Sequence, residues 1–240
     1  MANEILILRL EGPLQSWECA LRSDETGVSD YPTKSGIVQL LAHAHGAVPG
    51  DPRMSAEFED GLRFGVRVEA PGRIAREEIP LAKQVVRGSE KPSRRGRTGQ
   101  QRGAKCKDGA ASTRGSRDYI QDASFLVALE RTEKASDDLL RRCAVALIRP
   151  ARPIFLGRRS CPPTRPVFEC LSKDFDDIEE ALMNYPWTGE AERARTQSFV
   201  QDLIAYVEDH DPGGLLHGAR CVKRLVVPME GVLKLKKERK

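Results

Sequence analysis

The chain has 240 residues, 40% of them hydrophobic, and a formal charge of +4 from 39 basic and 35 acidic residues. That length and apolar content suit one elaborated domain or two small ones and exclude a wholly disordered protein. No uninterrupted apolar run reaches the roughly 18 residues that cross a bilayer, and residues 1–9 lack the features of a signal peptide, so a cytosolic protein with no membrane partner is expected.

Ile5, Leu6, Ile7, Leu8 and Leu10, stopped by Gly12 and Pro13, form the nearly continuous apolar run of a strand buried in the middle of a sheet. Gln15 and Trp17 follow it, and the indole suits either stacking on a base or anchoring a core. Pro32 and Thr33 lead into Ile37, Leu40, Leu41 and Ala44 at helical spacing, closed by Gly46, which predicts a helix of about three turns. At its start Thr33, Lys34, Ser35 and Gly36 combine hydroxyls, a cation and backbone N–H groups. Such a terminus suits a phosphate, or is an ordinary capped end. Leu62, Phe64, Val66 and Val68 then alternate with Gly61, Arg63, Gly65 and Arg67, the period of a half-buried strand.

Residues 87–117 hold ten Lys and Arg against two acids, a net +8, while the rest of the chain has 29 basic against 33 acidic residues. The segment contains six glycines and no Val, Ile, Leu, Met or aromatic residue. The positive charge is therefore concentrated in one element suited to a polyanion, with Arg87, Arg94, Arg95, Arg97, Arg102, Lys105, Lys107, Arg114 and Arg117 as candidate contacts. A solvated insert without a ligand has the same composition.

Beyond it, Ala123, Phe125, Val127 and Leu129 repeat the strand alternation. Ser136 can cap a helix whose apolar face is Leu139, Leu140, Cys143 and Leu147, and 154–156 reads as a further short strand. The order β-α-β-β-α-β is the split βαβ of the ferredoxin-like, α+β class. The expected organisation is a domain over 1–160, carrying the basic insert at about 80–120, and a C-terminal extension over 161–240. The extension would contain a short helix through Phe175, Ile178, Ala181, Leu182 and Tyr185, and a β-ribbon from 199–207 and 221–227, the earlier run of which also allows a helix.

Gly157, Arg158, Arg159, Ser160 and Cys161 place two guanidiniums on a turn stiffened by Pro162 and Pro163, suited to phosphates and bases or to surface ion pairs with the acids of 174–180. Catalytic signatures such as GxxxxGK[ST], GxSxG, HExxH and a strand-borne GxGxxG are missing. His43 and His45 lie about 200° apart around one helix and cannot share a metal, which leaves general acid or base work in metal-independent RNA cleavage as the enzymatic alternative. Six scattered cysteines without a CxxC pair suit reduced thiols, with neither metal nor cofactor expected.

Three blocks carry a family resemblance: Leu8-Arg9-Leu10-Glu11-Gly12-Pro13-Leu14-Gln15-Ser16-Trp17, Pro32-Thr33-Lys34-Ser35-Gly36-Ile37 and Phe155-Leu156-Gly157-Arg158-Arg159-Ser160-Cys161-Pro162. In collinear order across nearly the whole chain, they resemble the CasD family, the repeat-associated (RAMP) subunit of the type I-E CRISPR surveillance complex Cascade. Glu18 stands where that family usually has glycine. The resemblance implies a noncatalytic RNA-binding subunit that caps the foot of the complex and holds the 5′ handle of the CRISPR RNA. It also implies contacts with the backbone and large subunits, target DNA nearby in the assembled complex, and no metal. The basic insert then corresponds to a thumb reaching across the guide RNA. Gln15, Trp17, Lys34, Ser35, Gly36, Arg158, Arg159 and Ser160 become candidates for handle contact.

Overall fold

The computed structural model describes residues 4–20, 26–48, 52–80, 114–187, 202–208 and 222–228. The first apolar run becomes β1 (Ile5–Gln15), in which Ile5 to Leu8 and Leu10 have no exposed surface. A strand apolar at successive positions must be covered on both faces, because its side chains alternate between them. β1 pairs antiparallel with β6 (Arg114–Arg131) on one side and with β7 (Phe168–Ser172) on the other. On the far side of β6 lie, in turn, β4 (Leu62–Ala70), β8 (Asp202–Glu208) and β9 (Val222–Pro228), each pair antiparallel. With β5 (Arg73–Pro80), which also pairs with β6, the described residues make a seven-stranded sheet of path β7-β1-β6-β4-β8-β9. A separate two-stranded ribbon joins β2 (Glu18–Ala20) to β3 (Thr26–Val28).

Alternate β1 residues enter two cores. Leu6, Leu8 and Leu10 pack with residues of α1 (Lys34–Ala44), α2 (Pro52–Gly61) and α3 (Leu139–Ile148). Ile5 and Ile7 pack with α4 (Ile178–Asn184) and with Ala205 and Val207 of β8. Each such leucine or isoleucine contributes roughly 1.5–3 kcal/mol of burial. α4 approaches the sheet over Gly65, where a Cβ would stand 2.5 Å from Ile178 Cγ2 and 2.8 Å from Leu182 Cδ1. Cys143 lies on the inner face of α3 as its spacing predicts, and burial pushes its thiol up to about 12.

Three local expectations change. Ser136 does not cap α3: Asp138 is the N-cap residue, and the Ser136 hydroxyl accepts from Arg142 Nη2 at 3.1 Å. Residues 154–156 form no strand, and the place beside β1 is taken by β7. Arg67 has no exposed surface despite the half-buried alternation of its strand, because α4 and the residues after it, Tyr185 and Trp187, cover the second face of the sheet. Strands β7, β8 and β9, all from beyond residue 160, belong to the same sheet as β1.

Residues Arg76–Arg117 form a compact unit of their own, of which 76–80 in β5 and 114–117 in β6 are described. Among the described residues, no helix is long and apolar enough to cross a membrane.

Candidate nucleic-acid interface

β1 stops where its ladder with β6 ends, at Gln15 opposite Ile120. The Gln15 amide holds the exit in place: Nε2 donates to the carbonyls of Leu10 at 3.2 Å and Ala123 at 2.8 Å, and Oε1 accepts from Trp17 Nε1 at 3.0 Å. A buried amide and a buried indole thereby satisfy each other and two backbone carbonyls, which removes the cost of burying them unpaired. Neither side chain has exposed surface. This corrects the expectation that Gln15 and Trp17 face RNA: both are internal supports.

The Trp17 ring receives the start of α1. A Cβ on Gly36 would lie 2.8 Å from Trp17 Cε3, so this position is small because the indole is underneath it. Thr33 closes the terminus, accepting the Gly36 N–H on Oγ1 at 3.2 Å while its carbonyl accepts from Ile37 at 3.0 Å. The Ser35 hydroxyl, on an exposed residue, is 3.3 Å from Thr33 Oγ1. Lys34 is half-buried, and the first turn of α1 carries no acid. An anion at this end meets the favourable pole of the helix dipole without a competing carboxylate.

The third block rests on the same few atoms. Gly157 has φ +90°, and a Cβ there would collide with the Ser16 carbonyl oxygen, so glycine is required twice over. Ser16 N–H donates to the Leu156 carbonyl at 3.1 Å, Leu156 N–H to that of Cys161 at 2.7 Å and Cys161 N–H to that of Arg158 at 2.9 Å. The loop is thus closed on itself and tied to the end of β1. Leu156 and Cys161 point inward, whereas Gly157, Arg159 and Ser160 are exposed. Arg158 is half-buried, with its guanidinium carbon 5.6 Å from the centre of the Tyr119 ring.

The three sequence blocks therefore converge on Ser16 and Trp17, and the arrangement presents Ser35, Arg159 and Ser160 outward with Lys34 and Arg158 partly covered. Of the basic-segment candidates, Arg114 opens β6 and Arg117 is exposed. Arg87, Arg94, Arg95, Arg97, Arg102, Lys105 and Lys107 lie outside the described residues.

The two helix histidines have different surroundings. The His43 ring packs against Phe155 at 6.2 Å, and His45 packs against Phe58 at 5.3 Å. Burial, helped by the Arg142 charge, holds the His45 imidazole below its usual pKa. Among the described residues, no group of three His, Cys, Asp or Glu side chains could hold a metal.

A buried charge cluster has no counterpart among the residues singled out by motif. Arg9 and Arg67 both pair with Glu69, the Arg67 bond at 2.5 Å, and all three side chains are shut off from solvent. Arg67 Nη1 also donates to the carbonyls of Leu182 at 2.6 Å and Tyr185 at 2.8 Å, and Arg9 Nη2 to that of Pro186 at 3.2 Å. Trp187 lies against the Arg67 guanidinium, 3.9 Å from carbon to ring centre. The two arginines thus collect carbonyls at the end of α4, which its helix cannot satisfy. The available signal was Arg9 inside an apolar run and Arg67 two residues before Glu69, on one face of a strand.

Residues 5–220 match the family described as CRISPR-associated protein (Cas_Cas5). A relative from Escherichia coli (strain K12), described as CRISPR system Cascade subunit CasD, is 30% identical over 190 residues, covering 77% of this chain and 78% of that protein. A crystal structure described as a Cas protein superposes with a TM-score of 0.61 at 27% identity, covering 95% of this chain and 97% of the other. A chain of a CRISPR RNA-guided surveillance complex superposes with a TM-score of 0.58 at 25% identity, covering 95% and 92%.

Proposed function

The chain belongs to the CRISPR-associated protein (Cas_Cas5) family, and on that premise we propose that it is the subunit of a type I-E Cascade complex that holds the 5′ handle of the CRISPR RNA. In this reading it caps the foot of the complex, beside the backbone and large subunits. It takes part in guide-directed DNA recognition for antiviral defence without cutting RNA itself. The carrying observation is the convergence of three sequence-distant blocks on Ser16 and Trp17, which gathers Lys34, Ser35, Gly36, Arg158, Arg159 and Ser160 around one exit of the sheet. Guanidiniums, hydroxyls and a helix N-terminus are the groups that take up phosphates and splayed bases. Gln15 and Trp17 serve this surface from beneath.

The strand path β7-β1-β6-β4, with α1 between β1 and β4 and α3 between β6 and β7, supports a ferredoxin-like reading of the core. The Arg76–Arg117 unit, with the chain's concentrated positive charge, is read as the thumb. Binding of handle RNA to the purified chain, competed by a scrambled handle, tests the assignment: the specific RNA is expected to compete far better, and equal competition defeats handle recognition. Incubation with unprocessed repeat RNA, with and without a chelator, tests the noncatalytic claim. Single-site cleavage would replace it with the endoribonuclease alternative.

A further inference from the structure

An open cavity of about 290 Å³ lies within the main unit, bordered by Ile120, the ladder partner of Gln15, and by Asp30 and Tyr31 ahead of α1. One wall is Tyr31 and Tyr206, whose rings stack at 4.1 Å between centres and 13° between planes. Tyr206 comes from β8, in register with Val66 of β4, while Tyr31 comes from the loop entering α1. Val68 and Ile120 add apolar surface, and Ile74, 61% exposed, stands at the rim. The Pro71–Gly72 turn fixes the rim: Gly72 has φ +69°, and any Cβ would collide with the Gln121 carbonyl. Asp30 is exposed at the mouth and makes no ion pair among the described residues.

A carboxylate beside stacked aromatic rings, with aliphatic walls and no lysine or arginine among the described residues of the lining, is a cation site by its chemistry. The rings present negative π density, and the walls take the methylene stem of a long side chain. A nucleic acid fits worse, since its phosphates would approach Asp30 with no cation among the described lining residues to neutralise them. We propose that this cavity receives an arginine side chain of a partner protein, the guanidinium lying against the tyrosine pair and bonding to the Asp30 carboxylate. Arginine suits it better than lysine because a planar fork both stacks and binds a carboxylate through two N–H groups. The proposal goes beyond RNA binding and rests on the reading above only in supposing protein neighbours.

The chain has four tyrosines, so tyrosine-labelled full-length protein gives few enough resonances to follow individually. Acetyl-arginine-amide is expected to shift Tyr31 and Tyr206 saturably and leave Tyr119 and Tyr185 unmoved. Neutral acetyl-citrulline-amide should do neither, and Asp30→Asn should weaken the arginine response by about threefold or more. The affinity of Asp30→Asn for handle RNA is expected to be unchanged, so this test can fail without the handle reading failing. Equal binding of citrulline, stronger shifts of the same pair by guanosine monophosphate, or no saturable shift with any probe would overturn the proposal. In the reconstituted complex, carbodiimide labelling of Asp30 should fall severalfold relative to the free chain. Equal labelling would defeat a protein partner.

Discussion

Two pairs of arginines show how little a positive charge in the sequence says about its use. Arg9 and Arg67 sit inside strands, are closed off from solvent, and spend their donors on Glu69 and the carbonyls of Leu182, Tyr185 and Pro186. Arg158 and Arg159 follow a glycine of positive φ on a loop tied to Ser16, which leaves one half-covered and the other in water. What separates them is the backbone geometry around each pair. A strand face beneath α4 turns a guanidinium into a joint of the fold, and a closed turn resting on the end of β1 carries one to the surface.

Removing the anion of the buried pair should have the largest effect. Glu69→Ala leaves two desolvated guanidiniums without their shared carboxylate and should cost about 3–5 kcal/mol in urea denaturation. A loss under about 1 kcal/mol would mean the cluster is as dispensable as a surface pair. Next comes Gly157→Ala, which forces a left-handed residue to carry a Cβ against the Ser16 carbonyl and should cost at least about 1–3 kcal/mol. Its handle affinity should fall more steeply than that of Glu69→Ala, measured on folded protein, because it displaces the loop that carries the surface arginines. Equal RNA affinity of the two variants would erase the distinction between joint and surface. The smallest effect on folding belongs to Arg158→Ala with Arg159→Ala: a loss of no more than about 1 kcal/mol is expected, from the Arg158 contact with Tyr119. The slope of log affinity against log salt should drop by about 0.7 for each phosphate of a single strand that the variant no longer neutralises. An unaltered slope would remove these residues from the RNA surface.

The sequence disclosed elements whose determinants are local. The nearly continuous apolar run of β1, the Thr33 cap and Gly46 end of α1, and the inward face of α3 depend on neighbours within a few residues. It misled where a distant element decides. Residues 154–156 have a strand's composition, yet Leu156 exchanges hydrogen bonds with Ser16 and Cys161 instead of a ladder. Arg67 follows a half-buried alternation that α4 and the residues after it, more than a hundred positions later, cover over. α2 went unread although Pro52 begins it and Phe58 anchors it with no exposed surface. At the site, the residue types were legible and their division of labour was not: Gln15 and Trp17 carry groups suited to RNA but spend them on each other and on the backbone.

The pairing of β1 also dictates when this protein can acquire its shape during synthesis. Ile5 finds its partners at Glu130 and Ser172, so the first strand made is among the last to be enclosed. At roughly 5–20 residues per second, its leucines and isoleucines wait on the order of ten seconds before both neighbouring strands have been translated. Until β6 is complete at Arg131, which takes most of that wait, this apolar segment has no neighbouring strand to pair with.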